Sequence, residues 1–151
     1  MKILMVCLGN ICRSPLADGL LRDKIQLNNL QIEVDSCGTS GHHAGQQPNE
    51  RMMETALSHG YDLSALRARQ FETADFKKFD LIYVMDSSNY NNVIRLATSE
   101  ADKQKVKLFL NELYPEKNRA VPDPYYGGSQ GFEDVYDLVD KATDLIIEKL
   151  K

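Results

Sequence analysis

The chain is 151 residues long, 42% hydrophobic and 26% charged, with 18 Lys and Arg against 22 Asp and Glu for a formal charge of −4. This composition suits one folded domain, residues 1–151, and excludes a disordered chain or a disulfide scaffold. An acidic balance without a dense basic run speaks against a nucleic-acid partner, and no apolar segment is long enough to span a bilayer.

The N-terminal run KILMVCL (2–8) is continuously apolar rather than alternating, as in a strand buried on both faces of a parallel sheet. Its core, Ile3 to Leu8, is too short for a signal peptide, and the three cysteines of the chain are an odd number best read as reduced thiols, so a cytoplasmic protein is expected. SPLADGLLRDKI (14–25) places Leu16, Leu20, Leu21 and Ile25 on one helical face, with Ser14 as the expected cap and Pro15 in the first turn. LQIEVDSCGTSG (30–41) alternates at Ile32 and Val34 before dissolving into Gly and Ser, which completes a βαβ pattern.

PNERMMETALSHGYD (48–62) reads as a helix entered by Pro48 and ended near Gly60, and TADFKKF (73–79) as a short one. FDLIYVMDS (79–87) supplies a third strand, with Asp86 or Ser87 placed to cap a helix over SSNYNNVIRLA (87–97), and VKLFL (106–110) a fourth. A polar connection (111–131) with three prolines and three glycines leads into FEDVYDLVDKATDLIIEKLK (132–151), whose apolar stripe is helical core packing. The predicted fold is α/β: an open twisted sheet of four parallel strands, helices on both faces, and a phosphate-binding loop after the first strand.

That loop is CLGNICRS, Cys7 to Ser14. It lies at the carboxyl end of the first strand, where open α/β sheets bind ligands, and it feeds a helix. Backbone amides of Leu8, Gly9, Asn10, Ile11 and Cys12, with the positive end of the helix, predict a cradle for a tetrahedral anion; Gly9 and Asn10 are best able to adopt the left-handed conformations such a nest needs. GxxxxGK[ST] is absent, so this is not the nucleotide-binding version. A thiol in that field is favoured as thiolate, which marks Cys7 as a nucleophile rather than a small buried hydrophobe. Arg13 offers a planar fork for two phosphoryl oxygens; a cation at a helix start opposes the dipole and calls for an anion, which bound phosphate would supply.

Cys7-Leu8-Gly9-Asn10-Ile11-Cys12-Arg13-Ser14-Pro15, together with VDS (34–36), ARQF (68–71), MDSSN (85–89) and DPYYG (123–127), resembles the low-molecular-weight protein tyrosine phosphatases over nearly the whole chain. The resemblance implies hydrolysis of phosphotyrosine and aryl phosphate monoesters through a phosphocysteine on Cys7. Arg13 would clamp the phosphoryl group, and Asp123 would act as general acid and then base. It implies no cofactor and no metal, phosphotyrosine proteins or peptides as partners, and inorganic phosphate as product and inhibitor. Ser14 would stabilise the thiolate, and Asn10 would hold the loop, with Ser36 as a partner. Leu66 stands where many relatives carry a His that orients the asparagine, so that support is missing here. Tyr125 and Tyr126 would line the opening, and His42 occupies the place of an aromatic wall. Cys12 would form a reversible disulfide with Cys7 under peroxide, while Cys37 reads as structural.

The residues also admit a metal site, one rival enzyme and one rival from another class. A zinc site from Cys7, Cys12, Cys37, His42 and His43 lacks a second closely spaced ligand pair, and Arg13 would repel the ion. An arsenate reductase of the same fold relays electrons through two further downstream cysteines, and no cysteine follows Cys37. A non-catalytic phosphate-binding regulator would have no use for the full set of Cys7, Arg13 and Asp123.

Overall fold

The N-terminal apolar run forms β1 (Lys2–Cys7), and its uninterrupted hydrophobicity has a structural cause, since the strand is covered on both sides. The computed structural model describes residues 1–151 apart from the side chain of Ser129. It places β1 between β2 (Glu33–Gly38) and β3 (Leu81–Val84), with β4 (Val106–Leu108) beyond β3, giving the order β2-β1-β3-β4. Every pairing is parallel. Alternation sends Ile3, Met5 and Cys7 into one core and Leu4 and Val6 into the other, so one strand serves both.

Helices α1 (Arg13–Leu27), α2 (Glu50–Ser58) and α6 (Gly128–Leu150) close the first face through Leu16, Leu20, Met52, Val135 and Val139. The second face is closed by α3 (Asp75–Lys78) through Phe76 and α4 (Ser87–Ile94) through Val93. Lys24 joins α1 to α6: its buried ammonium meets the Asp140 carboxylate and the Thr143 hydroxyl, each at 2.7 Å. Among the described residues no helix is long and apolar enough to cross a membrane.

Four expectations need correction. Ser14 does not cap α1; that helix starts one residue earlier without a side-chain cap, because the Ser14 hydroxyl is turned inward to Cys7. The fourth strand ends at Leu108, and Phe109 and Leu110 turn into a 3-10 segment (Phe109–Glu112) that buries both, Phe109 meeting Tyr83 edge-on at 5.8 Å. The last helix begins at Gly128, ahead of the expected Phe132, since the small residues that read as a loop let its first turn press on the preceding segment. A Cβ at Gly131 would collide with the Pro124 carbonyl. Finally, α5 (Glu100–Gln104) was not expected: it buries nothing and so carries no apolar period, and is held by Ser99 accepting from the Asp102 N–H.

With this strand order the connections leaving β1 and β3 turn to opposite faces, and a crevice opens at their carboxyl ends. The floor of the crevice is pinned by Gly38, the last residue of β2. Its N–H donates to the Arg69 carbonyl at 2.9 Å and its carbonyl accepts from the Phe71 N–H at 2.7 Å. A Cβ there would stand 2.6 Å from the Leu8 carbonyl oxygen and 3.0 Å from the Asn10 nitrogen, so only glycine lets the loop after β1 lie down. Gly38→Ala is expected to cost about 1–3 kcal/mol as overpacking against backbone, and to lower the melting temperature by roughly 2–10 °C. A thermal melt that matches the parent would refute this close approach.

Candidate active site

Cys7 ends β1, and six residues later α1 begins; the loop between them has nowhere to place its N–H groups in the sheet. Among the described residues the N–H groups of Gly9, Ile11, Cys12, Arg13 and Ser14 have no hydrogen-bond partner, while that of Asn10 donates to Cys7 Sγ at 3.3 Å. Donors left free at a helix start are an anion site by their geometry and by the helix dipole. Asn10 is left-handed, with φ 57°, as expected. Gly9 is not; its missing Cβ instead makes room for His43, whose Cδ2 would lie 3.1 Å from it.

Below the loop a chain of polar contacts holds it. Ser14 Oγ lies 3.0 Å from Cys7 Sγ and accepts from Asn10 Nδ2 at 2.8 Å. Asn10 Oδ1 in turn accepts from the Arg69 N–H at 3.1 Å. Arg69 is itself fixed, since its guanidinium forks onto the buried Asp75 with both bonds at 3.1 Å and reaches Asp35 at 3.2 Å. The orientation expected of a His at position 66 therefore comes from a backbone N–H three residues on, and Leu66 packs on the first core. Ser36 is not a partner of Asn10. Strand alternation turns it with Val34 toward the α1 face, where burial pushes the Asp18 carboxyl above its ordinary value against the pull of Arg22.

Arg13 is nearly buried and has an anion of its own: Nη1 donates to Asp86 Oδ2 at 2.8 Å and to the Val121 carbonyl at 3.0 Å. The remaining guanidinium donors have no partner among the described residues. Asp86 lies two residues past the end of β3, so the switch in strand order sets it beside the loop after β1. It also caps α4, as expected, through Oδ1 and the Asn89 N–H at 2.8 Å. Its pairing with Arg13 was not foreseen.

The loop forms one side of a cleft of about 220 Å³, lined by Cys7, Leu8, Gly9, Ile11, Cys12 and Arg13; Ser40, His42, His43, Asp123, Pro124 and Tyr125 line the rest. Asp123, far along the chain from Cys7 and Arg13, thus shares their cleft. Asp123 caps a 3-10 turn (Pro124–Gly127), its Oδ1 accepting from the Tyr125 N–H at 3.0 Å. Tyr126 does not line the cleft and is 91% exposed. The Cys12 thiol is pushed up to about 12, burial acting first and outweighing the Tyr125 hydroxyl that faces it. Cys37 is raised well above the ordinary thiol value by burial in the second core. Among the described residues no three His, Cys, Asp or Glu side chains are grouped to hold a metal ion. The arrangement can bring a sulfur nucleophile, an oxyanion cradle and a carboxyl group to one tetrahedral ester.

The family model described as low molecular weight phosphotyrosine protein phosphatase matches residues 2–151. The low molecular weight phosphotyrosine protein phosphatase of Schizosaccharomyces pombe is 43% identical over 149 residues, covering 96% of this chain and 94% of its own. A crystal structure of the protein tyrosine phosphatase from Entamoeba histolytica, with Hepes in its active site, superposes with a TM-score of 0.91 at 41% identity, covering 99% of this chain and 96% of that one. That of the Drosophila arginine phosphatase superposes with a TM-score of 0.91 at 29% identity, covering 100% and 98%.

A raised pKa keeps the proton on the thiol at pH values where an ordinary cysteine begins to lose it, so Cys12 and Cys37 should both resist alkylation. At about pH 8, iodoacetate is expected to modify Cys7 and to leave these two untouched, with Cys12 becoming reactive only as the solution approaches about pH 12. Inorganic phosphate should slow the reaction at Cys7. Peptide fragmentation locates the label, and modification of Cys12 at the rate of Cys7 would contradict the burial effect.

Proposed function

The chain belongs to the low molecular weight phosphotyrosine protein phosphatase family and is a protein tyrosine phosphatase, and we propose the following course for its reaction. Phosphotyrosine enters with its phosphoryl group in the cradle of residues 8–12 and its ring between Leu8, Ile11, His42 and Tyr125. The Cys7 sulfur attacks phosphorus, the S–P bond forms and the P–O bond to the ring breaks, while Asp123 gives its proton to the departing phenol oxygen. Arg13 holds two of the three equatorial oxygens with the donors that Asp86 leaves free, stabilising charge as it spreads over them.

In the second step Asp123, now a carboxylate, takes a proton from water. The water oxygen attacks phosphorus, the S–P bond breaks, and inorganic phosphate forms while sulfur leaves as thiolate. The Ser14 hydroxyl, 3.0 Å from that sulfur, holds the proton available to the pair and donates it as a hydrogen bond to the leaving sulfur. Inorganic phosphate fits the same cradle and acts as a competitive inhibitor. Phosphotyrosine-bearing proteins or peptides are the partners, with Tyr126 outside the cleft at its rim. The three free, buried cysteines fit a reducing, cytoplasmic setting, and residues 1–151 act as one catalytic unit.

The convergence of Cys7, Arg13 and Asp123 on one cleft carries this reading. An arsenate reductase would need a cysteine relay beyond Cys37, which the sequence lacks, and a binding protein would need no carboxyl group above the cradle. Cys7→Ser is expected to abolish turnover of para-nitrophenyl phosphate, and chelator to leave the parent unaffected. Asp123→Ala should slow phenyl phosphate by about 10²–10³-fold and para-nitrophenyl phosphate less, because the poorer leaving group needs the proton more. Near-normal turnover by Cys7→Ser would overturn the mechanism.

A further inference from the structure

We propose that Asn49 is a positioning residue that sets Asp123 over the phosphate loop, acting through the Tyr125 hydroxyl. The inference rests on the reading of Asp123 as the acid. Asn49 stands where three elements meet. Its backbone N–H donates to the Ile11 carbonyl at 2.7 Å, which ties it to the loop that holds phosphate. Its Oδ1 accepts from the Met52 N–H at 3.1 Å and its carbonyl from the Met53 N–H at 2.9 Å, which starts α2. Its Nδ2 donates to Tyr125 Oη at 2.6 Å, which reaches the segment that carries the acid.

From Tyr125 the connection to Asp123 is short and stiff. The Tyr125 N–H bonds to Asp123 Oδ1 at 3.0 Å, so the carboxylate and the tyrosine belong to one tight turn. The tyrosine ring is wedged edge-on against Phe132 of α6 at 5.9 Å, and the Arg51 guanidinium covers that phenyl ring at 4.6 Å. Residues at the head of α2 therefore grip the acid turn at two points, its tyrosine hydroxyl and the phenylalanine beneath. Otherwise the turn is exposed apart from Pro124, and Tyr125 and Tyr126 are both exposed.

The amide side chain suits this place for a chemical reason. It carries an acceptor and two donors in a fixed plane, so it can cap a helix and still donate outward. A serine can cap but is too short to reach Tyr125, and an alanine does neither. In-line attack and proton delivery tolerate little error, and a displacement of about 1 Å of a catalytic group costs on the order of a hundredfold. A hydrogen bond that fixes the acid turn to the phosphate loop thus acts on rate while touching no substrate atom.

The test compares Asn49→Ser, which keeps the cap, with Tyr125→Phe, which keeps the ring, on phenyl phosphate and on dinitrophenyl phosphate, whose leaving group needs no acid. Each variant is expected to lower kcat/KM for phenyl phosphate by about tenfold and to change kcat/KM for dinitrophenyl phosphate by less than about twofold, because kcat/KM reports phosphoryl transfer to Cys7 and not the later hydrolysis, in which Asp123 serves both substrates as base. The double variant should be no worse than either single one. In an Asp123→Ala background, Asn49→Ser should have no further effect. Equal losses on both substrates, a further loss in the Asp123→Ala background, or unchanged phenyl phosphate turnover in either variant would each overturn the proposal. If Asp123→Ala itself failed to discriminate between the two substrates, the acid assignment would fall and this proposal with it; if only the Asn49 and Tyr125 variants failed to, the acid would stand and the proposal alone would fall.

Discussion

The rest of the molecule depends on one backbone condition: peptide N–H groups at a strand-to-helix junction must stay free of protein partners beside a sulfur that, of these groups, only the Asn10 N–H engages. Such groups are ordinarily expensive, since an unpaired donor kept from water costs about 1–3 kcal/mol, and a chain left alone would turn them toward carbonyls or solvent. Here they are held in place by contacts from below and from the sides. Asn10 is bonded to Ser14 and to the Arg69 N–H, Arg13 to Asp86, and the Ile11 carbonyl to the Asn49 N–H. Each contact removes a way in which the loop could relax into pairing its own donors, and an oxyanion in the cradle then meets donors that need not reorganise.

The sheet order makes these contacts reachable. Because β1 lies between β2 and β3, the loop that follows it has β2 and the Arg69–Phe71 segment on one flank and the start of α4 on the other. Asp86 can then serve two masters that local sequence would keep apart, a helix N-terminus and a guanidinium. The same carboxylate offsets the unfavourable placement of a cation in the first turn of α1. A nearly buried Arg13 with one nitrogen committed and the others free is pre-aimed rather than mobile, so little side-chain entropy is lost when it takes hold of a phosphoryl group.

What could be read from the chain alone follows from the range of the interactions involved. The buried strand, the loop and the main helices announce themselves within short windows, because burial on both faces and helical periodicity are local patterns. Ser14 misled for a local reason: a serine before a helix usually caps it, yet a sulfur at 3.0 Å claimed the hydroxyl. Gly9 is a parallel case: a loop glycine suggests backbone freedom, while here its missing side chain gives His43 its space. Asp86, Arg69 and Asn49 lay beyond reach, because their partners stand 73, 59 and 76 residues away and no periodicity connects them. Ser36 does not reach Asn10, since strand alternation turns it with Val34 toward the α1 face, opposite the neighbouring Cys37.

The second cysteine of the loop illustrates how the same field acts differently on neighbouring thiols. A disulfide with Cys7 under peroxide requires that Cys7 first become a sulfenic acid; the Cys12 thiolate then attacks that sulfur, forming the S–S bond as hydroxide leaves and becomes water. Burial holds Cys12 near 12, and repulsion from Cys7 adds to it while the Tyr125 hydroxyl works the other way. Cys12 is therefore kept protonated while the enzyme is reduced, which spares it from oxidation ahead of the nucleophile. Conversion of Cys7 to a neutral sulfenic acid removes the repulsion but leaves the desolvation, so Cys12 is released only in part. Closure of the disulfide would then be slower than for an exposed pair of thiols, with the Tyr125 hydroxyl and the Arg13 guanidinium as the local groups favouring it.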